Sequence, residues 1–202
     1  MKRTKLVTNK RVQIYQKSGL RRTKTLLKRG MHNQQIKRLV DEGLLVAVDR
    51  GIYINPNTPI TESHDLAIIA ARVPNAVISL ISALRFHGMT TQIPRQIWIA
   101  IENRAAAPRM KPRAVRIIRL TAPYLYAGIE KHIIESVPAK IYSPAKTVVD
   151  CFKFRNKIGL DIALEALREY RRQKKGTIDE VWLYARMGRV ANVMQPYLEA
   201  SS

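Results

Sequence analysis

Apolar positions along this 202-residue chain change period several times, and each change marks an element. A short helix is expected over 23–29, with Leu26 and Leu27 as its apolar pair. Gly30 follows, where a residue able to take positive φ makes a turn without steric cost. From Asn33 the spacing of Ile36, Leu39 and Val40 is that of one buried helical stripe, and Gly43 ends the run. The opposite face carries Gln34, Lys37, Arg38 and Asp41, with Gln35 at its margin. Two short strands, 45–48 and 52–54, flank Asp49-Arg50-Gly51, whose glycine suits a left-handed turn position. Upstream, Val12, Ile14 and Tyr15 give 10–17 the makings of a further helix, ended by Ser18-Gly19 and preceded by a basic arm over 1–9.

Asn55-Pro56-Asn57-Thr58-Pro59 is the clearest break, since prolines and asparagines at this density continue neither strand nor helix. It divides the chain into expected domains 1–56 and 60–202. Beyond it, a helix over 62–72 is capped by Thr61 or Ser63 and turns Leu66, Ile69 and Ala70 inward. A strongly apolar helix over 77–87 follows, closed by Gly88. The period then becomes two: 96–102 places Ile97, Ile99 and Ile101 on one face and Trp98 on the other, and 114–120 reads as a second strand. After a third apolar segment at 140–142, Ser143 caps a helix with Pro144 in its first turn and Val148, Val149, Cys151 and Phe152 in the core. Helices over 161–172, from Thr177 or Asp179 to Met187, and over 190–198 complete the chain. Helix, glycine turn, helix and hairpin read together as a winged helix-turn-helix. The expected class is thus α+β: an N-terminal winged helix-turn-helix followed by a mixed α/β C-terminal domain with a small sheet flanked by helices.

Charge gives the first module a direction. Lys and Arg number 36 against 15 Asp and Glu, a net +21 with a pI near 10.6, which points to a polyanionic partner. Residues 1–56 hold 14 basic and 3 acidic residues, while 57–202 hold 22 and 12, so the basic density peaks on the helical pair. No apolar run approaches the ~20 residues of a membrane-spanning helix, which favours nucleic acid over a bilayer. A second helix of this size fits a DNA major groove, and a hairpin tip reaches the neighbouring backbone. Asn33, Gln34, Gln35, Lys37 and Arg38 are therefore candidate base- and phosphate-contacting residues, Arg50 the candidate at the hairpin tip, and Arg22 and Lys24 candidates for phosphate. The block Arg104, Arg109, Lys111, Arg113, Arg116 and Arg119 contains no acid and is either a solvated edge or a second phosphate-contacting surface.

Catalytic signatures are weak. Four histidines (His32, His64, His87, His132) stand far apart, so no metal or other cofactor is expected. His64-Asp65 is explained better by a Ser63 cap with Asp65 in the first turn, and His87 as a buried imidazole with one hydrogen bond. Cys151 reads as a core thiol, and Glu102 and Asp150 as ordinary strand-end and helix-surface carboxylates. No enzyme is expected. A single cysteine excludes an intramolecular disulfide, and 1–12 has charge without a following apolar region, so a cytoplasmic protein is the expectation.

GLLVAVDRGIYINP in the first module, SALRFHGMT, QIWIAI, RAVRIIRL, IYSPAKTVVDCF and LDIALEALREY occur in an order that resembles the AbiEi antitoxins of type IV toxin–antitoxin and abortive-infection systems. The motifs are S-A-L-x-x-H-G (Ser82, Ala83, Leu84, His87, Gly88), S-P-A-K-T-x-x-D (Ser143 to Asp150) and A-L-x-E-Y (Ala166, Leu167, Glu169, Tyr170), and the resemblance runs from Val12 to Leu198. It implies a winged helix-turn-helix that represses its own operon by binding inverted repeats in double-stranded DNA. It also implies a C-terminal domain that counteracts a co-transcribed nucleotidyltransferase-like toxin without a conventional stable complex. By position, Asn33, Gln34, Gln35, Lys37 and Arg38 match the recognition helix, Arg50 the wing tip, and Arg113, Arg116 and Arg119 a C-terminal surface that helps hold DNA. His32 stands where the family usually has a serine cap. The alternative is a plain transcription factor whose C-terminal domain senses a ligand or dimerises.

Overall fold

The computed structural model describes residues 19–108, 110 and 115–199. The expected arm and helix over 1–17, and Arg109, Lys111 and Arg113 of the basic block, lie outside the described residues. The chain is of mixed α+β class and divides into two units, 1–74 with 133–139 and 75–132 with 140–202. The break expected at 55–59 therefore falls inside the first unit. Its prolines and asparagines build a turn rather than a linker: Thr58 N donates to Asn55 O at 2.9 Å, and buried Thr58 accepts from Gly19 N at 3.3 Å.

In the first unit β1 (Leu20–Arg22) leads into α1 (Thr23–Lys28), α2 (Asn33–Asp41), β2 (Val46–Asp49), β3 (Ile52–Ile54) and α3 (His64–Arg72). The sheet order is β1-β3-β2, antiparallel throughout, with Leu20 opposite Ile54 and Val46 also opposite Ile54. β1 is an addition to the expected elements. A three-residue segment with two arginines carries no alternation to read, and it becomes a strand through pairing with β3. Leu26, Met31, Ile36 and Leu45 form the core of the helical pair, each worth about 1.5–3 kcal/mol of burial. Leu27 is 40% exposed, so Leu26 alone carries the inward face of α1.

α3 starts two residues later than expected because Thr61 is committed elsewhere: its N–H and hydroxyl donate to Glu135 Oε1 at 3.0 and 2.8 Å. Ser63 makes no capping bond, and His64 Nδ1 lies 2.7 Å from Glu135 Oε2. The expected Ser63 side-chain cap is not made.

A five-stranded sheet, order β6-β5-β4-β8-β7, is formed by β4 (Val77–Ile78), β5 (Ile97–Glu102), β6 (Val115–Leu120), β7 (Ile129–Ile134) and β8 (Val137–Tyr142), and all of it but 133–139 belongs to the second unit. β4 runs antiparallel to β5 and parallel to β8, while β5 and β6 are parallel. The helix expected over 77–87 is therefore two elements. Val77 and Ile78, both β-branched, fill a slot between two strands, and α4 (Leu80–Phe86) begins only after Ser79 N has bonded Trp98 O at 3.0 Å. β5 is an interior strand, so Trp98, on the face opposite Ile99, is buried as well. β7 was not expected, since IEKHII carries a charged centre with no clean period.

α5 (Pro144–Lys153), α6 (Arg155–Ile158), α7 (Leu160–Arg172), α8 (Ile178–Met187) and α9 (Ala191–Glu199) complete the unit. Ser143 Oγ accepts from Lys146 N at 3.4 Å, as the cap expected from the sequence. α5 packs against α4, α7 and α8, so every residue from Ala145 to Phe152 is buried. No helix among the described residues is long and apolar enough to cross a membrane.

Candidate nucleic-acid interface

α2 divides its residues cleanly. Ile36 is 2% exposed beneath it, while Asn33, Gln34, Lys37 and Arg38 are exposed. Their spacing puts Gln34, Lys37, Arg38 and Asp41 along one helical face. Gln35 does not join them. Its Oε1 accepts from His32 N–H at 2.9 Å, which closes the helix start from the third helical position and leaves His32 extended in front of it. The side chain expected at the margin of a reading face is thus spent on a cap. Arg38 Nε donates to Glu42 Oε1 at 2.6 Å in an exposed pair, and that carboxylate raises the guanidinium's pKa.

The β2–β3 turn is tied down from two sides. Thr23 N and its hydroxyl both donate to Gly51 O, at 2.9 and 3.2 Å. Arg72 Nη1 donates to Arg50 O at 2.7 Å, with its Nε 3.9 Å from Asp49 Oδ2. Gly51 takes φ +71, which favours glycine, and a side chain there would also come within 3.0 Å of Thr23 Oγ1. Arg50 stands exposed at a turn whose backbone is fixed. Lys24 is exposed on α1 and Arg22 half-buried in β1.

The basic strand does not form one surface. Arg116 and Arg119 are three residues apart on β6 and so project from opposite faces. Arg116 lies over the Trp98 ring, 4.5 Å from its centroid. Arg119 Nη1 turns back onto the chain, donating to Asn103 O at 2.9 Å and Ala105 O at 2.7 Å. Arg113 lies outside the described residues.

One polar cluster escaped sequence reasoning. Asp150 is fully buried, not on a helix surface. Lys146 Nζ donates to both of its oxygens at 2.7 Å, and Tyr124 Oη donates to Oδ1 at 2.6 Å. The ammonium also lies over the rings of Tyr124 and Tyr142, 3.7 and 4.1 Å from their centroids. Burial pulls Lys146 below its ordinary pKa even with Asp150 beside it, and pushes the Tyr124 phenol up. The readable signal was an i, i+4 Lys and Asp in a helix otherwise apolar at Val148, Val149, Cys151 and Phe152. Cys151 is a buried thiol, as expected; His87 makes the expected hydrogen-bond contact, its Nε2 2.8 Å from Tyr142 O, but is half-buried rather than buried, with desolvation lowering its pKa. Among the described residues no cluster of three or more potential metal ligands occurs.

A scan of protein families found no family model that matches the chain, and a search of curated proteins found no match. The AbiEi likeness thus rests on the order of its sequence motifs.

Proposed function

We propose that this protein is a DNA-binding repressor and antitoxin. Its first unit acts as a winged helix-turn-helix: α2 enters the major groove, and the β2–β3 turn meets the flanking backbone with Arg50. The protein binds inverted repeats in its own promoter, and the second unit counteracts a co-transcribed nucleotidyltransferase-like toxin. That role belongs in the cytoplasm. The reading is carried by one observation: Asn33, Gln34, Lys37 and Arg38 stand exposed on a helix whose far side is sealed by Ile36. These side chains can bond base edges and phosphates, and no neighbouring core requires them there. The antitoxin half draws its support from the motif order alone.

Fluorescence-anisotropy titration against DNA upstream of the gene tests the first half. Arg38→Ala weakens operator binding about tenfold or more while leaving non-specific affinity less affected. Arg50→Ala weakens binding to all sequences alike and lowers the salt slope by about one unit. Unchanged affinity in both variants removes α2 and the turn from the interface. Growth rescue tests the second half: expressing the neighbouring gene arrests growth, and co-expressing this protein restores it. No rescue, or a neighbour without toxicity, leaves a repressor without an antitoxin role.

A further inference from the structure

An open cleft of about 450 Å³ lies in the second unit, at the C-terminal end of β6 and beside the α8–α9 connection. Arg119, Lys153 and Arg189 line it together with Tyr124, and none of its lining residues is a carboxylate. Among the described residues no ion-pair partner accompanies any of the three cations. The buried Lys146–Asp150 pair behind the Tyr124 wall is internally neutral and cancels none of their charge.

The chain holds these cations in place with carbonyls rather than acids. Arg119 is fixed by Asn103 O and Ala105 O, and Lys153 Nζ donates to Gly188 O at 2.7 Å. Those bonds orient the side chains without neutralising them, and Arg119 and Lys153 both keep donors for a further acceptor. Arg189 takes φ +56, a left-handed conformation that a glycine or asparagine would adopt at less cost. Gly188 before it is also constrained, since a Cβ there would stand 2.7 Å from Tyr124 Oη. A left-handed arginine next to a crowded glycine thus lines the same cleft as two anchored cations. Leu120 and Met187 give the same cleft an apolar side.

We infer that this cleft binds a small phosphorylated molecule of nucleotide size, its phosphates held by Arg119, Lys153 and Arg189 and its body laid against Leu120 and Met187. A cavity of this volume is ordinary for such a ligand, and a phosphate ester supplies the negative charge that the lining lacks. Arg119 then serves a ligand rather than a DNA-facing strand. The inference rests on no part of the DNA reading, and it supplies what a ligand-sensing C-terminal unit would need.

Isothermal titration of the full-length protein with pyrophosphate and with each of the four common ribonucleoside diphosphates tests it. Saturable binding at one site per chain is expected, with a Kd below about 1 mM. Arg189→Gly removes the cation and suits the left-handed backbone, so it weakens binding about tenfold with the thermal midpoint held or raised. Lys153→Gln gives a second loss of similar size. Absence of saturation with every probe overturns the inference, as does unchanged affinity in Arg189→Gly. A third result also overturns it: duplex DNA displaces pyrophosphate and Arg189→Gly loses DNA affinity by the same factor, which makes the cleft a backbone contact. Ligand binding that survives in Arg38→Ala, whatever that variant does to DNA, keeps the two readings separate.

Discussion

Arg38–Glu42, from α2 to the residue that caps its end, and Lys146–Asp150 on α5 are both i, i+4 ion pairs, closed at 2.6 and 2.7 Å. Their side chains are 80% and 43% exposed in the first pair and 0% and 0% in the second. In water each partner is solvated whether or not the pair forms, so the α2 pair is replaceable, and Arg38 can exchange a carboxylate for a phosphate. In the core neither charge has that alternative. Every polar atom of the α5 pair must be answered locally, and Tyr124 and Tyr142 are there to do it. One spacing therefore yields an adaptable surface in one unit and a fixed internal group in the other. What surrounds the helix decides which.

The largest effect expected from this contrast is at Lys146. Lys146→Met leaves Asp150 buried without its counter-charge and lowers unfolding free energy by about 3–5 kcal/mol in urea denaturation. The double variant Lys146→Met, Asp150→Leu recovers most of that loss, since the cost lies in the orphaned charge rather than in the missing pair. A single variant that unfolds like the parent would break the contrast outright. Gly128→Ala acts on the same group less severely: with φ +66 and a new Cβ 2.7 Å from Lys146 Cβ, it costs about 1–3 kcal/mol.

An intermediate case sharpens the comparison. Glu135 is 3% exposed and its partner His64 16%, so the carboxylate is sheltered while the imidazole keeps contact with water. Burial pushes the Glu135 pKa up, but the Thr61 N–H, the His64 ring and the Thr61 hydroxyl outweigh it, and the net value falls below the ordinary 4.5. A depressed folded pKa contributes stability that is present above the unfolded value and is lost as pH falls through the folded one. Urea midpoints taken from neutral pH downward should therefore decline through the acid range below 4.5, and Glu135→Gln should flatten that decline while lowering the neutral-pH midpoint. A parent and variant with parallel pH profiles would show that His64 and Thr61 do not hold the charged form.

Which of these environments could be read beforehand depended on how local the cause was. The α2 stripe, the Ser143 cap and the hairpin around Gly51 are set by residues within a few positions of one another, and all three are visible in the sequence. Val77-Ile78 reads locally as helix because its strand partners lie at Ile99 and Ile141, beyond any local window. Thr61 reads as one of two candidate caps, with Ser63, because its acceptor, Glu135, lies 74 residues away. Asp150 was placed on a surface for the same reason: Tyr124 is 26 residues upstream, and a helix enclosed on several sides looks amphipathic until its neighbours are known. For the candidate DNA face, residue types and spacing were legible for Asn33, Gln34, Lys37 and Arg38. Gln35 Oε1 serves the His32 amide, because a glutamine three residues after a cap position has the same chemistry for a backbone amide as for a base edge.

The smallest expected effect on stability is at Glu42, and it separates the two pairs most directly. Glu42→Ala removes the acid from the exposed pair just as Asp150→Asn would from the buried one, yet its urea midpoint should match the parent's. Its consequence should appear in binding instead. The substitution frees the Arg38 guanidinium and deletes a negative charge beside the proposed DNA face, so affinity for duplex DNA rises where Arg38→Ala lowers it. Anisotropy at low and near-physiological salt reads both variants, and the gain should shrink as salt screens the deleted repulsion. If Glu42→Ala instead destabilised the fold as Lys146→Met does, then exposure would not be what distinguishes the pairs. In that case Arg38 would be held in place by the fold and not available to a partner.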